Sequence, residues 1–320
     1  MNKVHKFWVF AIILSLTMTN VSQAGQLITV GDHVQLTDNA WHQSHPMPSP
    51  DGTLIVSYGN QGGELQYGVD LFNCTTGIST RLTDTTLNST PSFSRDGTKI
   101  LYNADTGDGW NIWKMNADGT GKAALTSGGP LKANPNELPD GRIVYQTWGS
   151  YWSISIMNAD GSGASALSTL SDVGQPRVSA SGRYVTYGAQ DAWGEGLGNI
   201  YVYDLLTNVE TQITSDSANH GYASFNPLNE DMIVYQSKED GGDNYNLWAL
   251  NWKTGLRQQL TFEDYDQLYP IFLPDGSGIL YSSLEDGGQY ENIWQLNVVP
   301  EPATLLLFGI GGLALNRSRK

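Results

Sequence analysis

Short runs of alternating apolar and polar residues, separated by Gly, Asp and Asn, recur along most of the chain. This pattern predicts β-strands joined by tight turns. No long stretch has apolar residues at the three-to-four residue spacing that is typical of a helix. The sequence therefore predicts an all-β fold.

One unit of strands and turns recurs six times, at intervals of 41 to 47 residues. A full unit has a polar loop, a first strand, a turn that is Asp-Gly in four of the six units, a second strand ending near a tyrosine, a third strand of the Asn-Ile-Trp type and a fourth strand ending in Leu-Thr. The loops end at Pro46, Pro91, Pro135, Pro176, Ala223 and Pro270. Asp-Gly suits hairpins because both residues tolerate positive φ. Four antiparallel strands at this period predict a six-bladed β-propeller.

The sixth unit has only three strands, of which the last is Asn292 to Val298. A segment with the pattern of the fourth strand, Val34-Gln35-Leu36-Thr37, precedes the first unit instead. We expect this N-terminal strand to complete the last blade and to close the ring. Closure would protect strand edges that an open array leaves exposed.

The predicted propeller, residues 25–299, has 12 Lys and Arg against 31 Asp and Glu, a net charge of −19. A domain of this charge repels nucleic acid and anionic membrane surfaces, so we expect neither as a partner. With Cys74 as its one cysteine, the chain cannot form an internal disulfide. A packed core must therefore supply the stability.

The N-terminal 24 residues have the three parts of a secretory signal peptide. Lys3 and Lys6 form a basic start, an apolar run covers 7–16, and Ser22-Gln23-Ala24 offers small residues for a signal peptidase. The alternative is a membrane anchor, for which the run is short. Cleavage after Ala24 would start the mature chain at Gly25.

The C-terminal residues 300–320 contain Pro300, Glu301 and Pro302, an apolar stretch over 303–315 and a basic end. This order resembles the PEP-CTERM sorting signal of exported proteins in Gram-negative bacteria that make exopolysaccharide. The resemblance implies transient membrane insertion of the tail and its removal by an exosortase. It also implies delivery to the cell surface or extracellular matrix.

The residues of the repeat also resemble those of a known family. Pro48-Ser-Pro-Asp-Gly52, Ser94-Arg-Asp-Gly97, Met115-Asn-Ala-Asp-Gly119 and Met157-Asn-Ala-Asp-Gly161 are similar to the WD40-like PD40 repeats of TolB-like propellers. The resemblance extends over about 34–298 and departs most in the fifth unit. It implies the propeller fold, whereas function must be argued from the residues of a site.

The sequence contains no G-x-S-x-G elbow, no H-E-x-x-H pair and no P-loop, and so no familiar catalytic motif. The loops that lead into the first strands emerge on one face of a four-stranded blade. We therefore expect a channel mouth that includes the polar and aromatic residues of three such loops. These residues are Trp41, His42, His45, His220, Tyr222, Tyr265, Asp266 and Tyr269. A His/Asp cluster there could hold a metal or act on a polysaccharide; the alternative is ordinary loop hydrogen bonding.

Tryptophans occur in the loops after the second strands of blades two to four. They are Trp110, Trp148, Trp152 and Trp193. On the rim of the mouth they would stack on sugar rings, and the alternative is that they pack on their own blades. Carboxylates with glycine in the equivalent loops, Asp105, Asp108, Asp240 and Asp243, indicate calcium as a candidate cofactor. Ordinary turn chemistry explains the same residues.

Three functions are compatible with these observations. The first is a non-catalytic surface or matrix module that binds a glycan, such as exopolysaccharide, or a surface protein. The second is a polysaccharide lyase or hydrolase that uses the His/Asp mouth. The third is a structural matrix protein. The sorting tail, the loop aromatics and the absence of a catalytic motif favour the first.

Overall fold

The computed structural model of the chain describes residues 26–61, 67–83, 88–190, 197–239, 241–284, 287 and 289–299. The predicted signal peptide and the predicted sorting tail lie outside these residues. Within them the regular elements are all β-strands, which confirms the all-β prediction. That part of the chain contains no helix long and apolar enough to span a membrane.

The strands follow one another in antiparallel groups. The chain begins with β1 (Thr29–Gln35). Group 1 contains β2 (Gln43–Pro48), β3 (Leu54–Gly59), β4 (Gly68–Asn73) and β5 (Ile78–Arg81). Group 2 contains β6 (Asn88–Phe93), β7 (Lys99–Asp105), β8 (Trp110–Asn116) and β9 (Ala123–Ala124). Group 3 contains β10 (Leu131–Glu137), β11 (Ile143–Trp148), β12 (Trp152–Met157) and β13 (Ser165–Ala166).

The second half of the described chain repeats this order. Group 4 contains β14 (Val173–Val178), β15 (Tyr184–Gln190), β16 (Leu197–Asp204) and β17 (Val209–Gln212). Group 5 contains β18 (His220–Asn226), β19 (Asn229–Ser237), β20 (Asn246–Asn251) and β21 (Leu256–Gln259). Group 6 contains β22 (Gln267–Phe272), β23 (Gly278–Ser283) and β24 (Asn292–Val299), with β1 beside β24. Groups 4 and 5 share one pairing, Gly198 with His220, which joins them into one eight-stranded sheet.

The first hairpin of four of the six groups is held by the Asp-Gly turn chemistry that the repeat predicts. In group 1 the Asp51 carboxylate accepts the backbone N–H of Thr53 at 3.0 Å, and Gly52 has a φ of 72°. The same carboxylate bond recurs at Asp96, Asp140 and Asp275. Since a left-handed φ costs an L-residue energy that glycine does not pay, Asp-Gly favours this turn locally.

The Leu-Thr ending of the fourth strands has a structural role. The Thr83 hydroxyl accepts the N–H of Val69 on the third strand at 2.8 Å. The equivalent threonines of groups 2, 4 and 5 make the same bond: Thr126, Thr214 and Thr261. Thr37 makes it with Ile293 at 2.9 Å, and β1 pairs antiparallel with β24. The segment before group 1 therefore occupies the fourth-strand position in group 6, as the repeat predicts.

The apolar core is divided among the contacts between consecutive groups. In one cluster Val56 and Val69 of group 1 pack with Ile100 and Met115 of group 2. Another cluster joins the two ends of the chain: it contains Ile55 and Phe72 of group 1 with Leu280 and Ile293 of group 6. β2 also contacts β22, β23 and β24. Burial of side chains such as these stabilises the fold by about 1.5–3 kcal/mol each.

Candidate binding site

The first strand of every group contains a β-bulge at the same position. In group 1 Ser44 pairs with Tyr58 and Met47 with Val56, so β2 holds one residue more than its partner over this interval. The register shifts in the same way in the other five first strands. Proline follows the bulged residue in five of the six groups, and it suits a bulge because it has no N–H for the ladder.

The bulge holds one residue of each group in the left-handed region. These residues form the channel ring: His45 (φ 55°), Thr90 (44°), Asn134 (53°), Gln175 (60°), Tyr222 (54°) and Tyr269 (59°). They are six of the eight non-glycine residues with positive φ in the described part of the chain. Such a conformation costs on the order of 1–3 kcal/mol and tends to cluster at functional sites.

The channel ring lines a cavity of about 410 Å³, which we call the channel mouth. Seven other residues contribute to its wall: Tyr58, Tyr67, Ser89, Trp110, Ala133, Gln146 and Trp152. The volume lies within the range of pockets that hold small ligands. The bulges of separate groups thus place their side chains in one common site.

Aromatic rings occupy one side of the channel mouth. The His45 imidazole stacks on the Tyr269 ring with centroids 3.5 Å apart, and Tyr222 meets Tyr269 edge-on at 4.5 Å. Tyr58 lies 5.0 Å from His45, and Tyr67 follows at 5.8 Å from Tyr58. Aromatic pairs in these arrangements contribute about 0.5–1.5 kcal/mol beyond their burial. The rings therefore support one another as a packed wall.

Amide side chains occupy the opposite side. The Gln146 Oε1 accepts the Asn134 side-chain N–H at 2.7 Å and the Gln175 backbone N–H at 3.3 Å. The Asn134 Oδ1 and the Gln175 Oε1 are buried and have no hydrogen-bond partner among the described residues. A buried acceptor without a partner costs about 1–3 kcal/mol. Both residues line the cavity, and both oxygens lack a partner among the described residues.

Burial shifts the pKa values of four ionisable groups of the mouth in the direction that favours their neutral forms. The pKa of His45 lies well below 6.5 because the ring is buried, and the nearby Arg177 cation lowers it further. Burial raises the pKa of Tyr58 to about 12, with a smaller contribution from Glu291, and it also raises the pKa of Tyr222 and Tyr269. The wall thus presents neutral hydrogen-bonding groups and apolar ring faces.

His220, which we expected at the mouth, does not line the cavity. Its ring is fully buried, with Nδ1 2.8 Å from the Ser237 hydroxyl and Nε2 2.6 Å from the Asp216 carboxylate. Asp216 and Glu239 could form a metal-ligand set with His220. The guanidinium of Arg257 already bridges both carboxylates, at 2.6 and 2.7 Å, so an internal cation satisfies them.

Four other residues expected at the mouth lie outside its wall. Asp266 accepts the backbone N–H of Tyr245 at 2.7 Å, so its carboxylate closes a loop. The His42 Nδ1 accepts the N–H of Glu291 at 3.1 Å. Trp41 and Tyr265 are half-buried beside them. The structure therefore brings together His45, Tyr222 and Tyr269 from the expected set and separates the histidine and aspartate cluster.

The predicted rim tryptophans divide in a similar way. Trp110 and Trp152 line the channel mouth, and both belong to its amide side. Trp148 lies behind Trp152, with ring centroids 5.2 Å apart. Trp193 lies outside the described residues. Stacking on a ligand is thus available to Trp110 and Trp152.

The carboxylates predicted to bind calcium take part in turns. The Asp105 carboxylate accepts the Gly107 N–H at 2.8 Å, and Asp108 accepts the Thr106 hydroxyl at 3.2 Å. The main-chain oxygen of Asp243 accepts from Lys238. Asp240 lies outside the described residues. Calcium binding at these loops stays a prediction.

Several wall residues escaped the sequence analysis. They are Tyr58, Tyr67, Ser89, Thr90, Ala133, Asn134, Gln146 and Gln175. The sequence does contain a sign of the channel ring, because each of its members directly precedes the proline or alanine that ends a loop. That position repeats with the period of the fold although the residue types differ.

Comparison with known proteins supports the fold. A model of the TolB β-propeller domain, built on PD40 repeats, matches residues 24–197, more than half of the chain. The chain belongs to the TolB β-propeller family. This confirms the predicted resemblance and the propeller class of this TolB-like chain. No curated protein matches it in sequence.

Solved structures share the architecture at low identity. A protein described as TolB from Agrobacterium tumefaciens is 18% identical, with a TM-score of 0.59 over 69% of this chain and 79% of that one. TolB from Acinetobacter baumannii is 16% identical, with a TM-score of 0.58 over 82% and 64%. An oligogalacturonate lyase from Vibrio parahaemolyticus is 12% identical, with a TM-score of 0.55 over 87% and 99%. At such identities the likeness concerns the fold alone.

The C-terminal prediction has its own match. A model of the PEP-CTERM protein-sorting motif matches residues 298–320. This confirms the predicted motif around Pro300, Glu301 and Pro302. The motif marks this TolB-like chain as an exported protein of a Gram-negative bacterium, processed by an exosortase.

Proposed function

We propose that this protein is a non-catalytic glycan-binding module of the cell surface or extracellular matrix, with the channel mouth as its binding site. The observation that carries the proposal is the two-sided wall of the mouth. Sugars present apolar ring faces and many hydroxyl donors, and aromatic rings and unsatisfied amide oxygens complement both.

Specific groups have specific roles in this proposal. Trp152 and Trp110 offer indole faces on which a sugar ring stacks. The Asn134 Oδ1 and the Gln175 Oε1 accept hydrogen bonds from sugar hydroxyls, which removes the cost of leaving two buried acceptors without partners. The neutral His45 and Tyr222 close the far wall of the pocket.

We also infer that the six groups are the blades of one closed ring. Two observations support closure: the pairing of β1 with β24, and the apolar cluster shared by groups 1 and 6. A closed ring would hold all six bulges around one axis, which a single ligand pocket requires. It would also leave each blade with one short outer edge.

Export and processing set where this binding would occur. We propose a mature protein that begins near Gly25, has lost the tail 300–320 and stays at the cell surface or in the matrix. There the exopolysaccharide of the producing cell is the natural candidate ligand. Mass spectrometry of the protein from its native host tests both ends, and an intact tail on a surface-exposed product would contradict the processing claim.

The binding experiment uses the mature chain and exopolysaccharide fragments from the same host. We expect saturable binding by calorimetry for the wild type and weaker binding for Gln175→Leu, which keeps the side-chain volume and removes the acceptor. If the mature chain does not bind the fragments but binds a surface protein instead, the ligand class is protein and the glycan proposal is wrong.

The polysaccharide-active alternative depends on a His/Asp mouth. Among the histidines and carboxylates of the described chain, His45 alone lines the cavity, and Asp266 and His220 have partners elsewhere. The tyrosines packed around His45 have pKa values that burial raises, away from the neutral range that suits a general acid or base. Binding is therefore better supported, and shortening of the polysaccharide by purified protein would contradict the non-catalytic proposal.

A further inference from the structure

A second cavity lies at the other end of the same first strands. It has a volume of about 270 Å³ and is lined by the residues two positions beyond each member of the channel ring: Met47, Ser92, Asn136, Arg177, Ser224 and Ile271. Its outer wall includes Pro50, Arg95 and Pro274, which belong to the first hairpin turns. Since the strands run from the mouth towards these turns, we call it the turn-side cavity.

Arg177 differs in charge from the five residues at its position in the other groups, which are all neutral. It is 9% exposed, and its Nη1 donates to the carbonyl oxygen of Pro176 at 3.1 Å. It forms no ion pair with any carboxylate of the described residues. The chain therefore buries a guanidinium here with a carbonyl as its acceptor and no opposite charge.

Two other arginines that are largely covered form ion pairs. Arg81 pairs with the buried Asp70 at 2.8 Å, and Arg257 pairs with Asp216 and Glu239. A buried cation without a counter-charge is costly, which accounts for these two pairs. Arg95 is less buried than Arg177, and its guanidinium donates to the carbonyl oxygens of Glu137 and Ser179. Arg177 is more buried than Arg81 and Arg257 and lacks such a partner, so a purely structural role does not account for it.

The surroundings of Arg177 suit an anion with an apolar body. Arg95 contributes a second guanidinium to the cavity wall, and its Nη2 donates to the Ser179 carbonyl at 2.8 Å. One carboxylate lines the same wall, that of Glu137, which accepts the backbone N–H of Arg95 at 2.8 Å. The described wall thus carries a net positive charge inside a domain of net charge −19. Phenylalanines complete it: Phe93, Phe225 and Phe272.

We propose that the turn-side cavity is a carboxylate-binding site in which Arg177 is the anchor. A guanidinium presents parallel N–H donors that match the two oxygens of a carboxylate. The Ser224 hydroxyl, on the same cavity wall, would supply a further donor, and the phenylalanine rings would cover the carbon skeleton of the ligand. This site is separate from the glycan site proposed at the channel mouth, and either can exist without the other.

The ligand experiment titrates the mature protein by calorimetry at about 0.15 M salt, where the Debye length is about 8 Å and the overall negative charge is screened. The probes are sodium acetate and sodium glucuronate, with acetamide and glucose as their uncharged counterparts. We expect saturable binding of a carboxylate and none of its uncharged counterpart. Binding of both carboxylates means a general carboxylate site, whereas glucuronate alone means an acidic sugar. Equally tight binding of sulfate would overturn the carboxylate assignment.

Three variants identify the anchor. Arg177→Met should weaken carboxylate binding by about thirtyfold or more, as expected when a charged partner is removed. The matched control is Arg142→Met, which removes an exposed arginine paired with Asp140 in a hairpin turn and should stay within about twofold of wild type. Ser224→Asp should supply Arg177 with an internal carboxylate, so we expect a folded protein with an unchanged or raised Tm that no longer binds acetate or glucuronate.

The outcomes that would overturn the proposal are specific. One is a wild-type protein that shows no saturable carboxylate binding. Another is a folded Arg177→Met or Ser224→Asp protein that binds acetate and glucuronate as the wild type does. Because Ser224→Asp retains the arginine, it keeps the test valid if Arg177→Met does not fold.

Discussion

The two sides of the channel mouth have the same backbone and opposite side-chain chemistry. Groups 5, 6 and 1 contribute Tyr222, Tyr269 and His45, whose rings pack against one another. Groups 2, 3 and 4 contribute Thr90, Asn134 and Gln175 from identical bulges. The rings of the aromatic side contact one another, and the amide side leaves two buried acceptors without partners.

This difference indicates that one side of the mouth stabilises the fold and that the other side binds the ligand. The repeat supplies the same left-handed position in every group, so the backbone alone does not distinguish the two sides. The rings of the aromatic side contact one another. Trp110 and Trp152 lie on the amide side, together with two oxygens that have no hydrogen-bond partner. We therefore expect changes on the aromatic side to act on stability and changes on the amide side to act on binding.

The largest effect should come from removing the strand that holds the aromatic side together. Deleting 27–37 would leave group 6, which carries Tyr269, with three strands and would remove the Thr37 bond to Ile293. Because a repeat protein depends on the contacts between neighbouring units, the whole domain should melt about 10 °C or more below the wild type. Calorimetric melting of both proteins measures this, and equal melting temperatures would contradict the proposed closure of the ring by this strand.

Tyr269→Ala should have the next largest effect. It removes a ring that contacts both His45 and Tyr222, so we expect a loss of about 3 kcal/mol in the free energy of unfolding. Gln175→Leu is the matched change on the amide side, and it should cost less than about 0.5 kcal/mol because it removes an acceptor without a partner. Urea unfolding measures the free energy of unfolding of both variants. Equal decreases in the two variants would contradict the distinction between the two sides.

A pH dependence should arise from His45 on the aromatic side. Its pKa is well below 6.5 in the folded protein and returns towards 6.5 on unfolding. Below pH 6.5 the unfolded chain therefore binds a proton that the folded one does not, and stability falls as the pH decreases. Between pH 7.5 and 5.5 this amounts to about 1 kcal/mol.

The variant His45→Gln isolates that contribution. Between pH 7.5 and 5.5 the free energy of unfolding of this variant should fall by about 1 kcal/mol less than that of the wild type, as measured by urea unfolding. The comparison with the variant is needed because burial raises the pKa of Glu291, which acts in the opposite direction above pH 4.5. A variant with the same pH dependence as the wild type would show that folding does not lower the pKa of His45.

The smallest effect concerns recognition on the amide side. Trp152→Ala should weaken glycan binding by about 1 kcal/mol, since it removes one stacking face of the half-buried rim. Asp118→Ala, in an exposed turn outside the mouth, should leave the affinity unchanged. Equal loss in both variants would indicate an effect on folding, and unchanged binding in Trp152→Ala would exclude this tryptophan from the site.

The sequence by itself determined the strands, their turns and the role of the N-terminal segment. These features depend on local chemistry that recurs with the repeat. Asp51-Gly52 forms its turn within a few residues, and the Thr37 position is recognisable because the fourth strands of groups 1, 2, 4 and 5 also end in an apolar residue and a threonine. The family and the sorting tail are local patterns of the same kind.

Only the tertiary structure decided which side chains meet in the channel. A β-bulge changes the direction of one residue, and no single residue type marks it, so Asn134 and Gln175 escaped the sequence analysis although His45 did not. His220 lies outside the mouth because its ring binds the Asp216 carboxylate. Arg257, which is distant in sequence, holds that carboxylate in place. Such choices depend on contacts between residues distant in sequence, and these contacts exist only once the blades are packed.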